Sequence, residues 1–174
     1  RAHLHEVVCA GNQEHSDYLL AWMAACVQRP TEQVEVAIVL RGGEGTGKGV
    51  LAREYGRVFG QHFLHLSDPA HLIGRFNAHL QDAVFVFVDE AFPVTDKAAI
   101  GTLKRLITEP SLVIEAKYGA VVPVQNVTHI LVASNEDWVV PAGFGDRRFF
   151  VLDVCDAHRG DTAYFRAILE QMQN

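Results

Sequence analysis

The chain has 174 residues, a length that sets one compact domain as the expectation. Apolar residues make up 49% and charged residues 21%, the composition of a folded domain rather than a disordered chain, and no apolar run approaches the ~20 residues of a membrane helix. The net charge of −6 argues, taken alone, against a nucleic-acid-binding surface, which is normally basic. In chain order, apolar residues at helical spacing predict a helix over residues 17–28, stopped by Pro30. A β-branched strand over 34–40 leads into a glycine-rich turn, then a helix over 50–59 and a short strand over Phe63–Leu66. Asp68-Pro69 reads as a helix start, with an N-cap and a proline at the first helical position. Phe85–Asp89 is apolar on both faces, as a strand packed between helix layers requires. Residues 95–107 form an amphipathic helix, with Ile100, Leu103, Leu106 and Ile107 on one face and Lys97, Lys104 and Arg105 turned away. Strands over 112–116 and 121–124 flank a hairpin turn, further strands follow at 129–133 and 149–154, and a helix closes at 163–172. The alternation predicts a three-layer α/β domain with a mostly parallel central sheet.

Cys9, Cys26 and Cys155 are spaced for neither a disulfide framework nor a zinc site, which fits a reducing, cytoplasmic setting. His62 and His65 are too few for a metal centre. No secretory leader opens the chain, and its start at Arg1 rather than Met sets the expectation of a piece of something longer.

The chemistry concentrates in four places. Gly42-Gly43-Glu44-Gly45-Thr46-Gly47-Lys48-Gly49, between a strand and a helix, fits the loop G-x-x-x-x-G-K. Bare backbone N–H groups of such a loop wrap phosphates, and the lysine reaches the β/γ pair. Gly49 stands where Ser or Thr normally offers a hydroxyl to Mg²⁺, so either water fills that coordination position or nucleotide binding is weakened. Asp89 and Glu90 end a buried strand some 40 residues further on. There Asp89 would hold Mg²⁺ and Glu90 would orient and deprotonate an attacking water. Asn135 ends a second buried strand, where its amide either reaches both γ-phosphate and water or merely caps the turn. Arg147 and Arg148 precede the last strand, either as solvated surface or as an arginine finger on a neighbouring subunit's ATP.

Five segments in this order, GGEGTGKG, FVFVDEA, LKRLITEPSLVIEAKYG, THILVASNEDWVVP and GDRRFFVLDV, resemble the superfamily 3 helicases, a branch of the AAA+ P-loop ATPases. The helicase part of primase-helicases from phages, plasmids and other mobile elements is the nearest likeness. The resemblance implies a homohexameric ring that hydrolyses ATP at subunit interfaces and threads single-stranded DNA through its channel. It implies a DNA-gripping hairpin before the asparagine strand, here tipped by Lys117 and Tyr118, where the aromatic stacks on a base and the lysine meets a phosphate. With one basic residue at the tip, affinity per subunit is weak and ring avidity essential. The same matching ranks Arg147 first as the finger, with Arg148 starting the strand, and leaves Lys104 and Arg105 to ATP, DNA or solvent. Trp138 is expected to pack. Residues 1–30 resemble the end of a helical collar and residues 31–174 the motor, with a primase or polymerase module in the same longer polypeptide. The expected function is an ATP-driven DNA helicase motor. The alternatives are an initiator or assembly module that binds ATP without unwinding, and a small-molecule phosphotransferase, against which Glu90 and the missing acceptor lid speak.

Overall fold

The structure, a computed structural model, describes residues 1–68, 70–90, 97–135 and 146–172. Its strands are β1 (Ala37–Arg41), β2 (Phe63–Leu66), β3 (Phe85–Asp89), β4 (Ser111–Glu115), β5 (Val121–Gln125), β6 (His129–Ser134) and β7 (Phe149–Asp153). Five of them form one sheet in the order β2-β3-β6-β1-β7, and every neighbouring pair is parallel. β4 and β5 pair antiparallel as a separate hairpin, in register from Ser111 opposite Gln125 to Glu115 opposite Val121.

Side-chain alternation along the parallel strands divides the core in two, because successive residues point to opposite faces. The helices are α1 (Gln13–Gln28), α2 (Lys48–Gly56), α3 (Ala70–Ile73), α4 (Lys97–Thr108) and α5 (Thr162–Met172). Val39, Val86, Val88, Ile130 and Val132 pack on one side against Leu103, Leu106 and Ile107 of α4 and Leu112 and Ile114 of β4. Leu40, Phe85, Phe87 and Leu131 pack on the other side against Leu19, Trp22 and Cys26 of α1 and Leu51 and Tyr55 of α2. The result is a three-layer α/β arrangement around a parallel sheet.

Local chemistry moved several predicted boundaries. α1 starts four residues early because Asn12 caps it, its side chain accepting the His15 N–H at 3.0 Å. β1 starts late: Glu35 sits at φ +57°, and the Trp22 indole takes the Val36 carbonyl at 2.8 Å, so that stretch is turned out of the ladder. The helix predicted over 50–59 ends at Gly56 and continues as a 3-10 stretch, Arg57–His62, interrupted by Gly60 at φ +56°. Asp68 does accept the Ala70 N–H at 2.8 Å, but the helix it opens lasts only four residues. Pro69, Thr95, Trp138, Gly145 and the Lys97 side chain lie outside the described residues.

The helical segment at the start of the chain opens with a turn that no local pattern predicted. Residues His3–Val8 wind as a π-type turn, with the Cys9 N–H reaching back to the Leu4 carbonyl at 2.9 Å. Val7 and Val8 are buried with α1 against the sheet, and the Cys155 N–H donates to the Val7 carbonyl at 2.8 Å. The segment 1–30 is thereby stitched to the strands. Cys9 and Cys26 are buried free thiols, pushed up to about 11 and about 12 by burial, and so are inert packing groups.

Candidate functional site

All five parallel strands run the same way, so the segments leaving their carboxyl ends gather along one edge. That edge is where an open α/β sheet keeps its ligand. A cavity of about 980 Å³ opens there, bordered by residues 44–50, Asp89, Glu90, Asn135 and, from the α5 side, Gly160, Thr162 and Phe165. Three motifs separated by dozens of residues in sequence therefore face one space.

The glycine-rich loop leaves β1 with the Gly42 N–H donating to the Ser134 carbonyl at 3.2 Å, which ties it to β6. Gly47 caps α2 at φ +95°, and a Cβ there would fall 2.5 Å from Phe165 Cε1, so both conformation and packing demand glycine. Lys48 begins α2 and is buried. Its Nζ donates to the carbonyls of Gly42 and Gly43, both at 2.7 Å, and to Asn135 Oδ1 at 3.0 Å. Thr46 is buried too, its hydroxyl donating to the Gly43 carbonyl at 2.9 Å. Burial lowers the Lys48 pKa, Asp89 and Glu44 act in the opposite direction, and nearby Arg159 adds to the lowering. The ammonium is thus held by neutral oxygens that a phosphate would outcompete.

Across the cavity, Asp89 ends β3 half exposed. Its Oδ2 lies 3.7 Å from Arg53 Nη1 and 3.5 Å from His65 Nε2, and the His65 ring stacks on Phe87 at 4.9 Å between centroids. Glu90 is exposed beside it at φ +127°, a conformation that costs a non-glycine residue, while its N–H donates to the Ala133 carbonyl at 3.2 Å. The donor set fits phosphate better than it fits a Mg²⁺ ion. Gly49 offers no oxygen, Oδ2 of Asp89 already faces the Arg53 guanidinium and the His65 ring, and the described residues contain no group of three His, Cys, Asp or Glu that could hold a metal.

The remaining predicted residues lie away from the cavity. Arg147 is exposed and does not line it. Arg148 pairs with Asp146 at 3.2 Å, and Lys104 reaches the other oxygen of Asp146 at 2.7 Å. Burial works against the Asp146 charge, yet these donors together hold its carboxyl below the usual range. Lys104 is therefore engaged in joining α4 to the segment before β7. Arg105 bonds within its own helix to Thr102 at 2.9 Å. Lys117 and Tyr118 cap the β4–β5 hairpin, where the Gly119 N–H closes the turn on the Ala116 carbonyl at 3.0 Å. Tyr118 is 95% exposed at φ +64°, with Lys117 Nζ 5.3 Å from its ring centroid.

Sequence reasoning missed Arg53, His65 and Arg159. Arg159 lies against the loop backbone, since a Cβ on Gly43 would be 3.4 Å from its guanidinium carbon. Arg53 carried a usable signal, because it stands four residues after Gly49 and so one turn above it on the same helix face. The other two had none.

The fold and this edge cluster define an α/β domain with a glycine-rich loop facing an acidic strand end. The chain belongs to the family DUF5906, a family of unknown function, whose model matches residues 40–148. Over 135 residues it is 30% identical to the DNA primase-polymerase of Nitratiruptor phage NrS-1, covering 76% of this chain and 19% of that relative. Two apo structures of the NrS-1 C-terminal region match with TM-scores of 0.84 and 0.81 at 25% identity, over 97% of this chain and 42% and 41% of theirs. The chain is thus homologous to part of a phage replication protein and spans about a fifth of that relative's length. No described helix is long and apolar enough to cross a membrane.

Proposed function

We propose that this chain is the nucleoside-triphosphate-binding motor module of a phage-type DNA replication protein, related to the superfamily 3 helicase branch of P-loop ATPases. The observation that carries the reading is the buried Lys48 ammonium, held by the loop carbonyls and by Asn135 beside an open cavity. In this reading ATP enters with its phosphates against the Gly42–Gly49 backbone and the start of α2, where unpaired N–H groups and the helix dipole favour an anion. Lys48 then exchanges the Gly42 and Gly43 carbonyls for phosphate oxygens, and Asn135 follows the γ-phosphate through its bond to Lys48. Glu90 is the exposed carboxylate at the rim and takes the proton of the attacking water. Asp89, the carboxylate that ends β3, faces the phosphates from the opposite side of the cavity with Arg53 and His65 at its Oδ2.

In a homohexameric ring Arg147, exposed and unengaged with this chain's cavity, completes a neighbour's site, while Lys117 and Tyr118 grip single-stranded DNA. A primase or polymerase module in the same polypeptide agrees with the greater length of the relative. The second reading, an initiator or assembly module that binds nucleotide without processive unwinding, is favoured by one observation: Asp89 is paired with Arg53, and no hydroxyl stands at position 49.

The test measures ATP-analogue binding and ATP turnover across protein concentrations, with and without single-stranded DNA. Lys48→Ala is expected to weaken binding by about tenfold or more. Glu90→Gln should keep binding and lose turnover by about a hundredfold. Arg147→Ala should bind normally and fail to turn over, and wild-type turnover per chain should climb with concentration. Binding without turnover under every condition selects the second reading, and binding indifferent to Lys48→Ala refutes both.

A further inference from the structure

The departure at position 49 has a structural counterpart one helical turn away. A Cβ built on Gly49 would lie 2.7 Å from Arg53 Nη1 and 3.2 Å from its guanidinium carbon, so the guanidinium lies directly over the bare glycine. Any side chain at 49 must displace it. The same Nη1 stands 3.7 Å from Asp89 Oδ2, and Arg53 borders the cavity alongside the phosphate loop, Asp89 and Glu90. A fixed positive charge is therefore present between the first turn of α2 and the acidic strand end, where a hydroxyl-held divalent ion would otherwise bridge loop and carboxylate.

We propose that Arg53 is the resident cation of this site, seated by Gly49 and countered by Asp89, and that it lets the site bind polyphosphate without a divalent metal. The inference rests on the phosphate-binding reading above and deepens it. Three physical points support it. A guanidinium is always charged, is less strongly hydrated than an ammonium, and matches phosphate oxygens with a planar fork of donors. Mg²⁺ demands a near-ideal octahedral oxygen set, and here the protein would contribute a single carboxylate that is already facing Arg53 and His65. Finally, at 3.7 Å the contact with Asp89 is an ion pair too long for a strong hydrogen bond. Among the described residues no side-chain hydrogen bond holds the Arg53 guanidinium, so its donors can turn to a phosphate.

Two measurements test this on the whole chain, with thermal melting as the folding control. The first is binding of a non-hydrolysable ATP analogue and of inorganic triphosphate, in EDTA and in Mg²⁺. Wild-type affinity should differ by less than about threefold between the two media, whereas Arg53→Ala should lose about tenfold or more in EDTA and recover with Mg²⁺. Gly49→Ser should behave like Arg53→Ala, because it displaces the guanidinium and restores a hydroxyl. A wild-type affinity that collapses in EDTA, or an Arg53→Ala protein that binds as wild type there, overturns the proposal.

The second measurement is Mn²⁺ binding to the nucleotide-free protein by electron paramagnetic resonance. Arg53→Ala should bind Mn²⁺ several-fold more tightly than wild type, and Arg53→Ala with Asp89→Asn should lose that gain. Equal Mn²⁺ affinity in wild type and Arg53→Ala overturns the proposal regardless of nucleotide. If neither phosphate probe binds wild type in either medium, the phosphate reading itself falls. The Mn²⁺ result then still decides whether Arg53 occupies the cation position.

Discussion

At the scale of single residues the site is a set of charges held short of a ligand. Lys48 spends its donors on two carbonyls of its own loop and on Asn135, so the ammonium is pre-positioned without a permanent anionic partner. Alanine in its place removes a desolvated charge but leaves the Gly42 and Gly43 carbonyls and Asn135 Oδ1 without that donor, so Lys48→Ala is expected to lose about 1–3 kcal/mol of stability while binding nucleotide poorly. Calorimetry on the free and analogue-bound proteins checks both halves. His129 is a second buried group whose charge the fold opposes. Burial lowers its pKa below the ordinary 6.5, only partly offset by a bond that its imidazole donates to the Pro30 carbonyl, and burial likewise lowers His3. Both are neutral in the fold, so as pH falls below about 6.5 the unfolded chain takes up protons that the folded chain refuses, and stability drops. Urea midpoints should decline from pH 7.5 toward pH 5, and His129→Phe should make that decline shallower. At this scale Lys48, Asp89, Glu90 and Asn135 were readable because each sits in a strand-end or loop pattern with a known physical reason. Arg53 carried only its spacing, one helical turn from Gly49, and Arg159 carried nothing, because an arginine in a loop looks the same whether it faces water or another loop.

At the scale of elements, the hairpin depends on a residue outside every motif. Asn126 is buried at the base of β5, donating to the Leu106 and Glu109 carbonyls at 2.8 Å each and accepting the Thr128 N–H at 3.1 Å. It satisfies the last carbonyls of α4 and fixes where the hairpin leaves the domain. Asn126→Ala leaves those groups unpaired and should cost about 2–3 kcal/mol by chemical denaturation, with faster amide exchange across β4 and β5. The tip itself tolerates more. Tyr118 sits in left-handed backbone, so Tyr118→Gly should not lower the melting temperature, yet it should weaken single-stranded DNA binding several-fold in fluorescence anisotropy. Unchanged DNA affinity in both Tyr118→Gly and Lys117→Ala would remove the hairpin from the DNA-binding reading. The hairpin was legible from its turn residues and alternation, and the loop between β1 and α2 from its glycines. The His3–Val8 segment was not, because its winding is set by docking against the sheet and by the Cys155 bond rather than by a local repeat.

At the scale of the whole molecule, stability centres on the aromatic cluster beneath β3. Phe85 is fully buried, with the rings of Tyr55, Phe59, Phe63 and Trp22 between 5.0 and 6.4 Å from its own. Phe85→Ala should cost about 3–5 kcal/mol, read from denaturant midpoints, and loosen the strand that carries Asp89 and Glu90. The net charge of −6 had pointed away from nucleic acid, but the single lysine that matters for the hairpin reading stands at an exposed tip, where local placement rather than the total decides contact. The alternation of strands and helices, and hence the layered sheet, can be read along the chain, because apolar periodicity is a local property. The loop, the acidic pair and the asparagine can be read there too, as separate signals. That β1 lies between β6 and β7, which brings those signals to one edge, and that Arg53 rests on Gly49 opposite Asp89, emerges only in the folded molecule. Strand order and cross-element contacts depend on how non-local faces pack, and no stretch of sequence records that on its own.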